Sequence, residues 1–198
     1  MDVVSRNWGE LVRSADLMRA AVGAVVVAAV VSGCGGGESG SAQPTTTTRD
    51  LEKIIVFNVC SELGDDALLE AGLDPATKDV VTDPPSGVST WRVCNWKPID
   101  DRYGSGRRSV GVYSTSHTLA ETRMKASLTD LEDIRIGPRP GLTFRETSTP
   151  DSCFVAFEAE QGMFEVDVAW LSNEGPRVGD LCEMAAKYAA DLEPNLPK

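Results

Sequence analysis

The side chains able to do chemistry are few. His117 is the only histidine in the 198 residues. A Ser-His-Asp or Cys-His arrangement needs an imidazole beside its nucleophile, and no G-x-S-x-G elbow is present to carry one. Multi-histidine zinc sites are excluded on the same count. His117 stands just before a helix cap and reads as a surface residue. The glycine-rich pieces GCGGG (33–37) and YGSGRR (103–108) lack the Lys-Ser/Thr that completes a phosphate loop. These types and spacings yield no catalytic, cofactor-binding or metal-ligating residue, and an enzyme is not expected.

Two clusters remain. Residues 152–160, SCFVAFEAE, and 163–171, MFEVDVAWL, both alternate apolar and polar side chains. Gln161-Gly162 between them suits the two-residue loop of a β-hairpin. In that register Glu158 faces Glu165, with Glu160 and Asp167 on the same side. The opposite side pairs Ala159 with Phe164, Phe157 with Val166, Val155 with Val168 and Cys153 with Trp170. Like charges directly opposite destabilise a sheet. The acidic side is therefore expected to be a solvated outer face, with a calcium-type cation site as the alternative. No EF-hand-like loop supports calcium, and no cleft for glycosidase-like use of two acids is evident. The second cluster is aromatic: Trp91, Trp96, Tyr103 and Tyr113, on strand-like segments. These belong in a core or in cross-strand pairs, or line a groove for an apolar ligand or glycan.

The elements that must position these residues follow from pattern. Asp65–Ala71 reads as a short helix stopped by Gly72 and Pro75, and 76–89 as a loop. Segments 90–97 and 107–114 read as two strands of a hairpin with a long loop. Thr118 and Glu121 form an S/T-x-x-E capping box before a helix over about 119–129. Short strands follow near 131–136 and 142–146, separated by Pro138-Arg139-Pro140-Gly141. A last helix spans about 179–192, with Leu181, Ala185, Tyr188 and Leu192 on one face. The order α-β-β-α-β-β-β-β-α predicts an α+β fold, an antiparallel sheet with helices packed against it. The hairpin and the last helix bring Cys153 near Cys182. That pairs them, and leaves Cys60 with Cys94 by elimination. Each bridge closes about 30–35 residues, worth roughly 3.5 kcal/mol in the chain-entropy picture.

Composition limits the partners. The chain carries 30 acidic and 19 basic residues, a net charge of −11, which argues against nucleic acid. Ala20–Val31 is a small apolar run behind Arg13 and Arg19. It is shorter than the roughly 20 residues of a membrane span and has the layout of a secretory signal. Val31-Ser32-Gly33-Cys34 is similar to the lipobox of bacterial lipoproteins. That resemblance implies cleavage after Gly33 and a diacylglyceryl group on the Cys34 thiol. Met18 looks a better start than Met1. Residues 35–49, GGGESGSAQPTTTTR, hold nothing that could form a core and read as a flexible tether on the order of 20 Å long. The Pro44–Thr48 run is a spacer, or a place for O-linked sugars. Four cysteines then remain beyond the membrane, an even number suited to two disulfides. The division is a signal segment 1–33, a lipidated Cys34 with tether to residue 49, and one domain over 50–198.

The lipobox, the tether, Cys60, Cys94-Asn95-Trp96, DLEDIRIGPRPGLTF (130–144), the 152–170 hairpin and DLCEMAAKYAADLEPNLP (180–197) together resemble one family. It is the actinobacterial lipoproteins built on a single domain of unknown function, the LprB/LprC-like group. The resemblance implies a surface-tethered α+β domain on the outer face of the cytoplasmic membrane. It brings no catalytic residues. The functional expectation is a non-enzymatic interaction module docking on an envelope protein. The alternative is a carrier of a small apolar or lipid ligand.

Overall fold

The computed structural model describes residues 49–84, 90–101, 107–171 and 177–198. The expected signal segment, Cys34, the expected tether up to Thr48, Tyr103 and both glycine-rich pieces other than Arg107-Arg108 lie outside the described residues.

Seven strands form one sheet in the order β1-β2-β3-β7-β6-β5-β4. They are β1 Leu73–Thr82, β2 Trp91–Pro98, β3 Arg108–Thr115, β4 Leu128–Ile136, β5 Arg139–Glu146, β6 Thr149–Ala159 and β7 Gly162–Trp170. Every neighbouring pair is antiparallel. The α-helices are α1 Asp65–Glu70, α2 Leu119–Arg123 and α3 Leu181–Leu192, and only α3 exceeds two turns. The fold is dominated by its sheet, which overturns the α+β expectation. Two local departures account for this. The segment taken as a loop over 76–89 contributes β1, and the helix taken to run to 129 stops at Arg123.

Each departure has a physical reason. β1 is an edge strand carrying Pro75, which is tolerated there because no second neighbour needs its N–H. Only Leu73 and Asp74 of β1 are buried, and its register shifts between Asp74 and Asp79 and again between Val80 and Thr82. No clean alternation was there to be read. The capping box of α2 is present as expected. Thr118 Oγ1 accepts from the Glu121 N–H at 3.3 Å, and Glu121 Oε2 accepts from the Thr118 N–H at 2.7 Å. Beyond Arg123 the chain turns into β4, the other edge strand. There Asp130 takes a left-handed φ of 53° where the register slips between Thr129 and Glu132.

The β6–β7 hairpin also differs from expectation. Ala159 pairs with Gly162, so the turn is Glu160-Gln161 and every pair moves by two residues. Glu158 faces Met163, Ala156 faces Glu165, and Phe154 faces Asp167. A shift of two keeps each side chain on its expected face. Gly162 is used for close approach rather than for the turn: a Cβ there would lie 2.5 Å from the carbonyl oxygens of Thr115 and His117.

The two faces are closed unequally. One carries the main core, with Trp96, Val110, Val112, Val155, Phe157, Phe164, Val166 and Val168 under α1 and α3. Leu181, Ala185, Tyr188 and Leu192 all point into it, as the helical spacing predicts. Both disulfides lie here as expected: Cys60–Cys94 and Cys153–Cys182, with Cα–Cα distances of 5.4 and 5.0 Å. The chain end is tied down by Arg139. Its guanidinium is buried and donates to Glu193 Oε1 at 2.7 Å and to the Leu196 and Pro197 carbonyls at 2.8 Å. The other face holds a smaller core of Leu142, Phe144, Phe154, Ala156 and Met163, flanked by Trp91, Leu119 and Leu128.

Candidate binding face

The smaller face is where polar chemistry is buried. Its rows follow from the register. Val93, Tyr113, Glu165, Ala156 and Leu142 form one row across five strands. Asn95, Gly111, Asp167, Phe154 and Phe144 form the next. Phe144 and Phe154 stack at 5.4 Å between ring centroids, and Trp91 meets Tyr113 edge-on at 6.2 Å.

Glu165 and Asp167 are 5 % and 7 % exposed. The expected solvated acidic face is thus overturned for these two, while Glu158 and Glu160 remain exposed. The hairpin alternation correctly sets Glu165 and Asp167 on one face. Both stand on β7, an inner strand flanked by β3 and β6, with Tyr113 and Gly111 on one side and Ala156 and Phe154 on the other. The absent side chain of Gly111 makes room for Asp167, since a Cβ there would lie 2.2 Å from Asp167 Oδ1. The Gly111 N–H donates to that oxygen at 3.0 Å, and the Tyr113 hydroxyl also donates to Asp167. Burial pushes Asp167 up to about 6 despite those two bonds. It also raises Tyr113 above its ordinary range, and the neighbouring carboxylates add to this.

Glu165 is less well served. Its Oε2 is buried and has no hydrogen-bond partner among the described residues. Burial pushes its carboxyl up to about 8. Lys125 pulls it back, and Asp167 and Glu146 push it further. Burial thus favours the protonated carboxyl.

On the same face, beside Trp91, lies a cleft of about 350 Å³ lined by Trp91, His117, Glu121, Thr122 and Lys125. His117 was expected at the surface. Its side chain is 35 % exposed and lies against Trp91, with ring centroids 5.6 Å apart. Its Nδ1 is 3.5 Å from Glu121 Oε2. Lys125 holds its Nζ 6.0 Å from the Trp91 ring centroid and 3.7 Å from Glu146 Oε1. The aromatic cluster is split: Trp91 and Tyr113 reach this face, and Trp96 is sealed in the main core. Among the described residues no three His, Cys, Asp or Glu side chains are grouped to hold a metal. The cation alternative therefore finds no ligand set there.

Lys125, Thr122 and Gly111 were not singled out in the sequence. Gly111 carried a readable signal, a glycine inside an alternating strand, which marks close approach by another group. Lys125 carried none, because its place depends on where α2 stops.

Fold and face define a disulfide-stapled, single-sheet antiparallel domain with its main core under α1 and α3 on one face and a smaller core on the other. The chain belongs to a family described as "Protein of unknown function (DUF3558)", whose model matches residues 29–195. No curated protein matches the chain. No solved structure matches it either.

Proposed function

We propose that the protein is a lipid-anchored, extracytoplasmic, non-enzymatic interaction module of the actinobacterial LprB/LprC-like kind. It docks on an envelope protein through the face that carries α2. The observation that carries this is the unequal closure of the sheet. α1 and α3 cover a large core on one side, while the other has a small core and a cleft lined by Trp91, His117, Glu121, Thr122 and Lys125. Supporting the address are the Val31–Cys34 motif behind its apolar run, two disulfides suited to an oxidising compartment, and a family match that begins at residue 29, inside that run. Among the described residues no helix is long and apolar enough to cross a membrane. Membrane attachment in this reading is through the diacylglyceryl group that the Val31–Cys34 motif implies on Cys34. The reading as a carrier of a small apolar or lipid ligand is the weaker one, because the cleft is lined by charge.

The test is photo-crosslinking of the full chain in its own cell envelope. The photoreactive residue is placed at Met124, 77 % exposed beside the cleft, or at exposed Glu183 on α3. The expected result is one discrete protein adduct from position 124 and none from 183. Equal adducts from both positions, or none above background, would overturn the docking reading.

A further inference from the structure

We propose that the end of the sheet at Gln161 rests on the bilayer surface, with Ile55 entering the headgroup layer, so that the domain stands on the membrane in one orientation. The inference rests on the anchoring of Cys34 in the docking reading and adds a second contact, between the domain itself and lipid.

The first support is the place where the chain enters the domain. The Arg49 guanidinium donates to the Gln161 carbonyl at 2.7 Å, and the Phe57 N–H donates to Gln161 Oε1 at 2.6 Å. Gln161 Nε2 in turn donates to Ser114 Oγ of β3 at 2.6 Å. The entering segment is thus pinned to the β6–β7 turn. Residues 35–48 separate Arg49 from Cys34 and read by composition as a spacer on the order of 20 Å long. From the same turn β7 runs nine residues, about 30 Å, to the other end of the sheet. An inverted domain would therefore hold the spacer stretched beyond its rest length, whereas the Gln161 end reaches the lipid without stretching it.

The second support is Ile55. It is 88 % exposed, more than any other large apolar side chain among the described residues. It does not sit on a loose end. Val56 beside it is buried, and Phe57 meets Phe164 edge-on at 6.0 Å between ring centroids. Those contacts fix the segment and leave Ile55 pointing outward. An apolar side chain held in water gains free energy on entering a lipid interface. One such contact is weak by itself, but the tether makes it intramolecular and raises its effective concentration.

The third support is charge. The β4–β5 turn and the chain end meet the same end of the sheet, where Pro138, Glu160 and Lys198 line one groove. Exposed Arg49, Lys53, Arg135 and Lys198 stand around it against exposed Asp50, Glu158 and Glu160. On a chain of net charge −11 this end is close to neutral, so anionic headgroups repel it little. With this end down, the sheet stands across the membrane plane and its α2 face turns sideways, toward a neighbouring envelope protein.

The experiment uses the full chain purified from its own cell envelope and reconstituted in vesicles of phosphatidylcholine and phosphatidylglycerol that carry a headgroup nitroxide. A fluorescent residue is placed at exposed Glu160 in the turn or at exposed Glu183 on α3. Glu183 follows Cys182, whose partner Cys153 lies about 20 Å along β6 from the turn. Nitroxide quenching is expected to be about threefold or more stronger at 160 than at 183, since contact quenching does not reach across that spacing. I55S should lower the ratio of quenched to unquenched lifetime populations at 160 about fivefold, the loss of one inserted apolar side chain, and I55L should keep it. R49A/Q161A, which unpins the entering segment, should bring 160 and 183 together. Equal quenching at the two positions in chains that float with the vesicles would overturn the proposal and leave the anchor standing, and so would an I55S variant quenched like wild type. Chains that do not float overturn the anchor and this contact together. Quenching at 160 as expected, with no protein crosslink from position 124, supports the lipid contact and sinks docking on a protein.

Discussion

At the scale of single residues, Glu165 costs the fold stability that a neutral side chain of the same shape would not. Its carboxyl is pushed from 4.5 up to about 8 by burial. The folded chain thus holds a proton that the unfolded chain gives up. The contribution of Glu165 to stability is largest at low pH, falls as pH rises between those two values, and stops falling above about 8. Each pH unit in that window costs about 1.4 kcal/mol. Gln at 165 keeps the shape and removes the titration. The advantage of E165Q over wild type in urea unfolding should therefore grow by roughly 2–3 kcal/mol between pH 6 and pH 9. A constant difference would show that the carboxyl is not held neutral. The residue was visible in the sequence as part of an acidic stripe. Its burial was not, because alternation tells which face a side chain takes and not what lies over that face.

At the scale of elements, the best-read parts are those that declare themselves locally. The capping box at Thr118, the amphipathic face of α3 and the alternation of β6 and β7 all rest on residues within a few positions of each other. β1 was missed because an edge strand with Pro75 and two register shifts has no period to detect. The β6–β7 register was missed by two residues because Gly162 is needed where the hairpin passes β3 and α2, a long-range demand. The clamp of the chain end is of the same long-range kind. Arg139 on β5 holds Glu193, Leu196 and Pro197 across 54 to 58 residues of sequence. Burial alone would raise Glu193, but bonds from Lys198 and Arg139 hold it below its ordinary value. R139A removes the guanidinium from Glu193 and from two carbonyls, leaves Lys198 as the carboxylate's partner, and should cost about 2–3 kcal/mol in chemical denaturation. R139K should recover only part, because a single ammonium cannot reach three acceptors in different directions. A carboxypeptidase should remove the residues after Glu193 from R139A faster than from wild type. Unchanged stability and unchanged digestion would mean the clamp holds nothing that the core does not already hold.

At the scale of the whole molecule, two covalent ties hold one sheet. The bridges span 34 and 29 residues, so the chain-entropy account gives each roughly 3.5 kcal/mol. Paired Cys-to-Ser variants of each bridge should lower stability by nearly equal amounts in equilibrium unfolding. A bridge whose loss costs under about 1 kcal/mol would mean that its loop is already restrained in the unfolded chain. Both pairings were legible because a hairpin and a helix in sequence brought Cys153 and Cys182 to one level, leaving one other pair. What the sequence determined by itself is therefore what short-range periodicity and counting determine: the strands that alternate, the face each side chain takes, the helix that closes the main core, the disulfides and the acidity. Tertiary structure alone decided that the sheet dominates, that Glu165 and Asp167 are covered, and that Lys125 stands over Trp91. The reason is physical: burial and side-chain encounter depend on which distant strands become neighbours and where a helix stops, and neither leaves a period in the chain.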